Sequence, residues 1–192
     1  MSGGLTPVPP GHVAAVVTYL EMTERPASLA VPDSPLRLER WDPVDLDRYR
    51  ALFRRVGQRW LWFSRLAMND AKLSANVAEA YAILEPSGAE AGLLELDFRT
   101  AGECLIRFLG LVPELAGRGH GRWLLAATLE LAWREKVERV RVHTCSLDHP
   151  AALPSYVRAG FRARSRAFES FPDPRLTGLL PRDAAPQVPL LV

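Results

Sequence analysis

The sequence predicts one α/β (more narrowly α+β) domain in which helices flank a mixed, mostly antiparallel central sheet. A length of 192 residues suits one domain. Three apolar strand-like runs separated by short turns lie between residues 80 and 112, and a glycine loop, a helix and another strand follow. Apolar residues make up 48% and charged residues 24%, which is typical of a folded globular chain.

Composition excludes several classes of function. The net charge of +2 comes from interspersed acidic and basic residues, so we expect neither nucleic acid nor a membrane surface as a partner. The amino terminus lacks the pattern of a signal peptide, and no apolar run is long enough to cross a bilayer. Cys104 and Cys145 show no metal-ligand or disulfide spacing, so we expect a cytoplasmic protein without a metal.

The two ends of the chain are rich in proline. Residues 1–10 and 171–192 therefore predict extended arms around a domain of residues 11–170. The tail could pack on its own sheet or on a neighbouring subunit of a homodimer, and the sequence leaves both open. Inside the domain, residues 12–22 predict a first strand and residues 36–40 a second.

Two helices are predicted next. Asp42 is a candidate N-cap with Pro43 at the first helical position, and Gly57 marks the end of this helix. Its apolar residues recur at helical spacing and predict one buried face, formed by Leu46, Tyr49, Phe53 and Val56. Asn69 or Asp70 could cap a second, shorter helix that reaches about residue 78.

The second half of the chain predicts a meander followed by a crossover. Residues 80–84, 91–98 and 104–112 are strand-like, with the turn sequences PSG and TAGE between them. A glycine loop then leads into a helix and a strand at 139–145, which makes a right-handed parallel crossover. A last helix at 152–159 precedes a final strand that starts near residue 161.

The glycine loop favours a phosphate ligand. Gly117, Gly119 and Gly121 stand between a strand and a helix N-terminus, where backbone N–H groups and the helix dipole suit a pyrophosphate, and Arg118 and Arg122 add positive charge. The loop lacks the Gly-Lys-Ser/Thr of a P-loop and the third glycine of a dinucleotide-binding fingerprint. A strand-to-helix turn without a ligand remains the alternative.

Two motifs at matched spacing carry a family resemblance. The segment AGRGHG (116–121) matches the two glycine positions of the pattern R/Q-x-x-G-x-G/A, and YVRAGF (156–161) fits Y-x-x-x-G-F. With the strand, V-P-E and Leu-Leu around the loop, residues 80–168 resemble the acetyl-CoA-binding core of the GNAT acetyltransferase superfamily. The resemblance implies a GNAT-like fold and acetyl-CoA as the cosubstrate.

The resemblance also implies cofactor-binding residues. The CoA pyrophosphate would be bound at the loop, by Gly117, Arg118, Gly119, His120, Gly121 and Arg122. The backbone of Leu109, Gly110 and Leu111 would pair with the pantetheine arm. Two positions depart from the family pattern: Ala116 stands where glutamine or arginine is usual, and His149 stands where asparagine is frequent. His149 is expected near the pantetheine or the adenine.

Tyr156 is the predicted catalytic acid. Acyl transfer from a thioester needs a donor for the departing thiolate, and a phenol with a pKa of about 10 is protonated at neutral pH. The resemblance matches Tyr156 to the family's proton-donating tyrosine. The alternative is a half-buried tyrosine with a structural role.

The base is predicted to be Glu95, a carboxylate in an apolar strand next to the pantetheine strand, where burial favours a raised pKa. Asp97 shares its face, so the two could instead form the solvated face of an edge strand. Glu21 is a weaker candidate, and water could serve if the amine arrives neutral. A thiol nucleophile, Cys145 with His143 or His149, is disfavoured because nothing places the thiol at a helix N-terminus.

An aromatic segment predicts the acceptor site. Trp60, Trp62 and Phe63, with Arg65, would suit a flat or aliphatic amine that bears a carboxylate, although they could equally fill the core. The predicted function is direct transfer of an acetyl group from acetyl-CoA to a primary amine, on a small molecule or a peptide N-terminus. The alternatives are a non-catalytic acyl-CoA-binding or sensing module and, last, a nucleotide-binding domain.

Overall fold

The structure, a computed structural model, describes residues 4–26 and 31–191 and is built on a seven-stranded sheet. Residues 1–3 of the predicted N-terminal arm and residue 192 of the tail lie outside the described residues. The strands, in chain order, are β1 (His12–Met22), β2 (Arg37–Trp41), β3 (Glu79–Leu84), β4 (Glu90–Asp97), β5 (Glu103–Leu111), β6 (Arg139–Cys145) and β7 (Arg162–Pro172).

Four helices flank the sheet within the described residues: α1 (Leu46–Gly57), α2 (Asp70–Asn76), α3 (His120–Ala132) and α4 (Ala152–Arg158). The strand order is β2-β3-β4-β5-β6-β1-β7, and β5–β6 is the parallel pair in it. The predicted mixed, mostly antiparallel sheet is therefore confirmed. The meander and the crossover also match the prediction, with strand ends within about two residues.

The start of α1 was predicted wrongly. The helix begins at Leu46, and its N-cap is Asp45, whose Oδ1 accepts hydrogen bonds from the amides of Asp47 and Arg48. Asp42 precedes this cap by three residues. A side-chain oxygen that meets two free amides satisfies more of the helix end than proline at the first position does.

The main core lies between α1 and the meander. Tyr49, Leu52 and Phe53 of α1 are fully buried, as are Leu93 and Leu94 of β4. Burial of each such side chain contributes about 1.5–3 kcal/mol. This packing fixes α1 over β4 and β5, and so fixes the segment that follows α1.

The proline-rich tail folds against its own domain. Leu180, Ala184 and Ala185 are buried with Val13 and Leu61 in a second apolar cluster. Of the two placements that the sequence left open for the tail, the structure has the one on the same chain.

A buried ion pair organises this tail. The Arg175 guanidinium binds the Asp173 carboxylate, with Nη2 to Oδ2 at 2.7 Å and Nε to Oδ1 at 3.0 Å, and both residues are buried. The same guanidinium donates to backbone carbonyls further along the tail, those of Ala184, Ala185, Val188 and Pro189. One side chain thus holds several turns of irregular chain.

We expect Arg175→Met to destabilise the protein by about 3–5 kcal/mol, because it leaves the Asp173 carboxylate buried without its partner. Urea unfolding of the full chain measures this loss. Arg182→Met is the matched control, since Arg182 lies exposed in the same tail and its loss should change stability by less than about 0.5 kcal/mol. Equal stability of the two variants would contradict an organising role for Arg175.

Candidate active site

The candidate site is a cavity that opens where β5 and β6 part. The two strands pair from Glu103/Arg139 to Ile106/Val142, yet β5 continues to Leu111 and β6 to Cys145. The register of β4 against β5 shifts at this level, which leaves Arg107 as an extra residue in β5. A bulge bends the strand that carries it. Between the diverging ends lies a cavity of about 610 Å³.

One end of the cavity is formed by the glycine loop. Gly117 and Gly119 have φ values of 74° and 84°, which favour glycine, and Gly119 is the N-cap of α3. Among the described residues, no acceptor receives a hydrogen bond from the amides of residues 117 to 121. Free amides at a helix N-terminus form an anion-binding surface.

The glycines of the loop line the cavity, but its two arginine side chains do not. Gly117, Gly119 and Gly121 line the cavity, whereas Arg118 and Arg122 are exposed and do not line it. His120 is half-buried, and its Nδ1 lies 3.5 Å from Ser34 Oγ. Backbone atoms of the loop therefore form this end of the cavity, and the guanidinium groups of Arg118 and Arg122 lie outside it.

The predicted pantetheine strand also lines the cavity. Leu109, Gly110 and Leu111 pair with β4 on one side, and on the side towards β6 they have no strand partner among the described residues. A Cβ on Gly110 would lie 2.7 Å from Val56 Cγ1. The absence of a side chain at position 110 therefore lets α1 pack closely against the strand.

Tyr156 of α4 lies in the wall of the cavity and is 8% exposed. Burial, with a further contribution from the nearby Asp148 carboxylate, raises the pKa of its phenol, so the hydroxyl keeps its proton at neutral pH. Its ring packs edge-on against Phe161, with centroids 5.8 Å apart. The hydroxyl donates to no described residue, which leaves its proton available to a ligand.

The predicted acceptor aromatics Trp60, Trp62 and Phe63 all line the cavity. The Trp62 ring lies 5.2 Å from that of Phe108, and Phe63 lies 4.9 Å from Phe171. Trp62 also packs against the main core. The two interpretations of these aromatics are thus compatible for Trp62, which is both core and cavity wall.

His149 lies at the same wall. It is exposed, its ring centroid is 5.2 Å from that of Trp60, and its Nδ1 accepts a hydrogen bond from the amide of Ala151 at 3.0 Å. The imidazole therefore supports the start of α4 while it lines the cavity.

Asp148 is a cavity residue that the sequence interpretation missed. Its Oδ1 accepts from Trp62 Nε1 at 3.1 Å, and its Oδ2 accepts from Thr144 Oγ1 and from the Cys145 amide, both at 2.8 Å. It joins the end of β6 to the aromatic wall. In the sequence, Asp148 stands out only as an aspartate three residues after a strand end, and aspartate is common in such turns. The sequence therefore could not reveal the contact of Asp148 with Trp62.

Glu95, the predicted base, lies outside this cavity. It is fully buried, and its carboxylate accepts from Arg65 Nη2 at 2.5 Å and from the Tyr49 hydroxyl at 2.6 Å. The Arg65 guanidinium lies 5.3 Å from the centroid of the Phe108 ring, which does line the cavity. Arg65, predicted as a cation of the acceptor site, therefore lies behind the wall and neutralises Glu95.

The solvated-face interpretation of Glu95 and Asp97 is wrong. Asp97 is 7% exposed and binds both Arg99 and Arg107, with Arg107 Nε to Oδ2 at 2.7 Å. These arginines hold the pKa of the Asp97 carboxyl far below its usual range. Glu21, the weaker base candidate, pairs with Arg164 on β7 and does not line the cavity.

Cys145 and His143 both line the cavity, but the thiol is not activated. Burial, with the Asp148 charge, raises the pKa of Cys145 to about 11, so the thiol stays protonated and is a poor nucleophile at neutral pH. Loss of surrounding water lowers the pKa of His143 below its ordinary value. The protonated thiol disfavours covalent catalysis by Cys145.

Comparison with known proteins assigns the family. The model of the acetyltransferase (GNAT) family matches residues 38–161. The chain belongs to the GNAT acetyltransferase family. The resemblance stated from the two motifs is confirmed, and the family indicates acyl transfer. No curated protein sequence matches this GNAT chain.

Solved structures support the fold. A GCN5-related N-acetyltransferase from Sphaerobacter thermophilus is similar with a TM-score of 0.57 and 19% identity, over 85% of this chain and 52% of that one. The ribosomal-protein-S18-alanine N-acetyltransferase from Escherichia coli has a TM-score of 0.53 and 12% identity, over 72% of this chain and 94% of that one. The chain spans about half the length of some of these structures, such as the Sphaerobacter protein.

Neither a membrane-spanning helix nor a metal-binding cluster is found among the described residues. In residues 4–26 and 31–191, no helix is long and apolar enough to cross a membrane. Over the same ranges, no group of three or more His, Cys, Asp or Glu side chains could hold a metal ion.

We expect Glu95→Gln to lower the free energy of unfolding by about 3–5 kcal/mol, because it leaves the Arg65 charge buried and uncompensated. Chemical unfolding measures the loss. Glu39→Gln is the control: Glu39 forms exposed ion pairs with Arg37 and Arg48, whose loss costs at most about 1 kcal/mol. Unchanged stability of Glu95→Gln together with lost turnover would instead favour Glu95 as the base.

Proposed function

We propose that this chain transfers an acetyl group from acetyl-CoA to a primary amine by direct attack. The observation that carries the proposal is one continuous cavity that joins the free amides of the glycine loop, the unpaired edge of β5 and the Tyr156 hydroxyl. These are the groups that a pyrophosphate, an amide-bearing arm and a departing thiolate require, and all of them line the same cavity.

Acetyl-CoA fits the residues that are present. The amides of residues 117 to 121 bind the pyrophosphate, with Arg118 and Arg122 outside as additional cations, and the backbone of residues 109 to 111 pairs with the pantetheine arm as a strand would. Ala116 lines the cavity but offers no polar side chain, so the backbone supplies most of the contacts at the loop.

The reaction then needs few protein groups. The neutral amine attacks the thioester carbonyl carbon, the C–S bond breaks, and the departing thiolate takes the proton of Tyr156. Trp60, Trp62 and Phe63 surround the acceptor and exclude part of the solvent. Glu95 is not the base in this proposal, because its carboxylate is held by Arg65 and Tyr49 outside the cavity.

The rival function is a non-catalytic acyl-CoA-binding or sensing module, which Ala116 favours because a usual polar contact to the cofactor is replaced. A thiol-release assay on a broad panel of amines separates the two. We expect turnover on at least one amine together with thermal stabilisation by acetyl-CoA. Stabilisation without release on any amine would favour the sensor.

We expect Gly119→Ala to weaken acetyl-CoA binding about tenfold, because the free loop relaxes from the left-handed conformation and binding must then restore it at a cost of about 1–2 kcal/mol. Gly88→Ala is the control, since Gly88 has a similar φ of 86° and lies outside the cavity. Isothermal titration of both variants measures the difference. Equal affinities would contradict a requirement for the left-handed glycine in cofactor binding.

We expect Tyr156→Phe to lower kcat about 100-fold and to leave the affinity for acetyl-CoA almost unchanged, because it removes only the proton of the acid. Tyr81→Phe removes a phenol hydroxyl that lies outside the cavity and serves as the control. Equal losses of turnover and of acetyl-CoA affinity in Tyr156→Phe would indicate a structural role.

A further inference from the structure

The cavity has an uncompensated negative charge on its acceptor side. The carboxylates of Asp148 and Glu169 both line the cavity. Asp148 receives its hydrogen bonds from the neutral donors of Trp62, Thr144 and Cys145. Glu169 forms no ion pair with any residue in the part of the chain that the structure describes. Among the described residues, neither carboxylate forms an ion pair with a cation.

One cation lines the same cavity as the two carboxylates. Among described residues, Arg107 is the only arginine or lysine that lines the cavity, and its Nε donates to Asp97 Oδ2 at 2.7 Å. Asp97 is shared with Arg99, so the guanidinium of Arg107 is only partly neutralised. The cavity lining still carries a net negative charge, since Arg65 lies behind the wall with Glu95.

His143 lies on β6 in the same part of the cavity. Four groups surround its ring: Asp148 beyond the end of β6, Glu169 on β7, Arg107 on β5 and the Tyr19 ring on β1, whose centroid is 5.9 Å away. Loss of water around the ring outweighs the two carboxylates and lowers the pKa, so the imidazole is neutral at pH 7 and accepts a proton. Part of the residue stays exposed although its surroundings remove some of its water, and through that part the proton can pass to the solvent.

The aromatic residues that line the cavity favour an apolar acceptor. The rings of Trp60, Trp62, Phe63 and Phe108 line the cavity. Aromatic rings bury apolar groups well, and their faces attract a cation. Aromatic rings and unpaired carboxylates attract an alkylammonium or arylalkylammonium ion. They repel an acceptor that brings its own carboxylate.

We propose that the acceptor is an apolar amine that arrives as a cation without an acidic group, that Glu169 attracts its ammonium group, and that His143 takes its proton. This inference rests on the acetyl-transfer function proposed above. It replaces the carboxylate-bearing amine expected from Arg65, since Arg65 is bound to Glu95 behind the wall.

The protons balance along this route. His143 takes one proton from the ammonium group, and the neutral nitrogen then forms the C–N bond as the thioester carbonyl opens. Collapse breaks the C–S bond, and the thiolate receives the proton of Tyr156. The proton left on the new amide nitrogen restores Tyr156, and His143 releases the first proton to water. The products are the N-acetyl amine, CoA and one proton.

The test compares acceptors that differ by one carboxylate. Thiol release is measured on a panel of alkyl and arylalkyl amines, each beside its α-carboxylated counterpart, for example phenethylamine with phenylalanine and tryptamine with tryptophan. We expect kcat/KM to be at least about tenfold higher for the amine of each pair. Preference for the carboxylated member, lost in Arg107→Gln, would overturn this inference and leave acetyl transfer standing. No release on any amine would overturn both.

Two variants test the named residues. Glu169→Gln should raise KM for the preferred amine about fivefold with kcat unchanged, whereas Glu135→Gln, which removes an exposed carboxylate outside the cavity, should change neither. His143→Gln should lower kcat about 100-fold, because it removes the base. It should also abolish the fall of kcat below neutral pH, because that fall reflects protonation of the His143 imidazole. An unaltered acid limb in His143→Gln, or an unaltered KM in Glu169→Gln, would contradict the corresponding role.

Discussion

The parting of β5 from β6 beyond Ile106 and Val142 is the constraint on which the rest of the site depends. Two parallel strands in register would satisfy each other's amides and carbonyls and leave no space between them. The bulge at Arg107 bends β5 at this level, so the backbone of residues 109 to 111 faces an opening. The strand ends therefore offer hydrogen bonds to a ligand that the sheet itself does not use.

The opening stays in place because its walls are anchored from behind. The buried pair of Arg65 and Glu95, with the Tyr49 hydroxyl, supports the ring of Phe108 from the α1 side. Asp148 ties Trp62 to the end of β6. These charged groups thus support the cavity wall and do not act as catalysts. Removing one partner of a buried, hydrogen-bonded ion pair strongly lowers stability.

Carboxylates in this chain illustrate how surroundings decide a role. Glu95 and Asp97 are on one strand two residues apart, and both are neutralised by arginines at hydrogen-bond distance. Glu169 has no such partner among the described residues and lines the cavity. The same functional group is structural in the first case and available to a substrate in the second, because an arginine forms an ion pair with the first and, among the described residues, none forms one with the second.

The sequence by itself determined the meander, the crossover, the glycine loop and the placing of Tyr156 on a helix beside it, because strand alternation, helical spacing and glycine at positive φ act within a few residues. Only the tertiary structure decided the rest. Arg65 lies 30 positions before Glu95, and Asp148 meets Trp62 from 86 positions away. Charge pairing and cavity lining depend on which strands become neighbours, so the buried role of Glu95 and the charges that line the cavity followed from the fold.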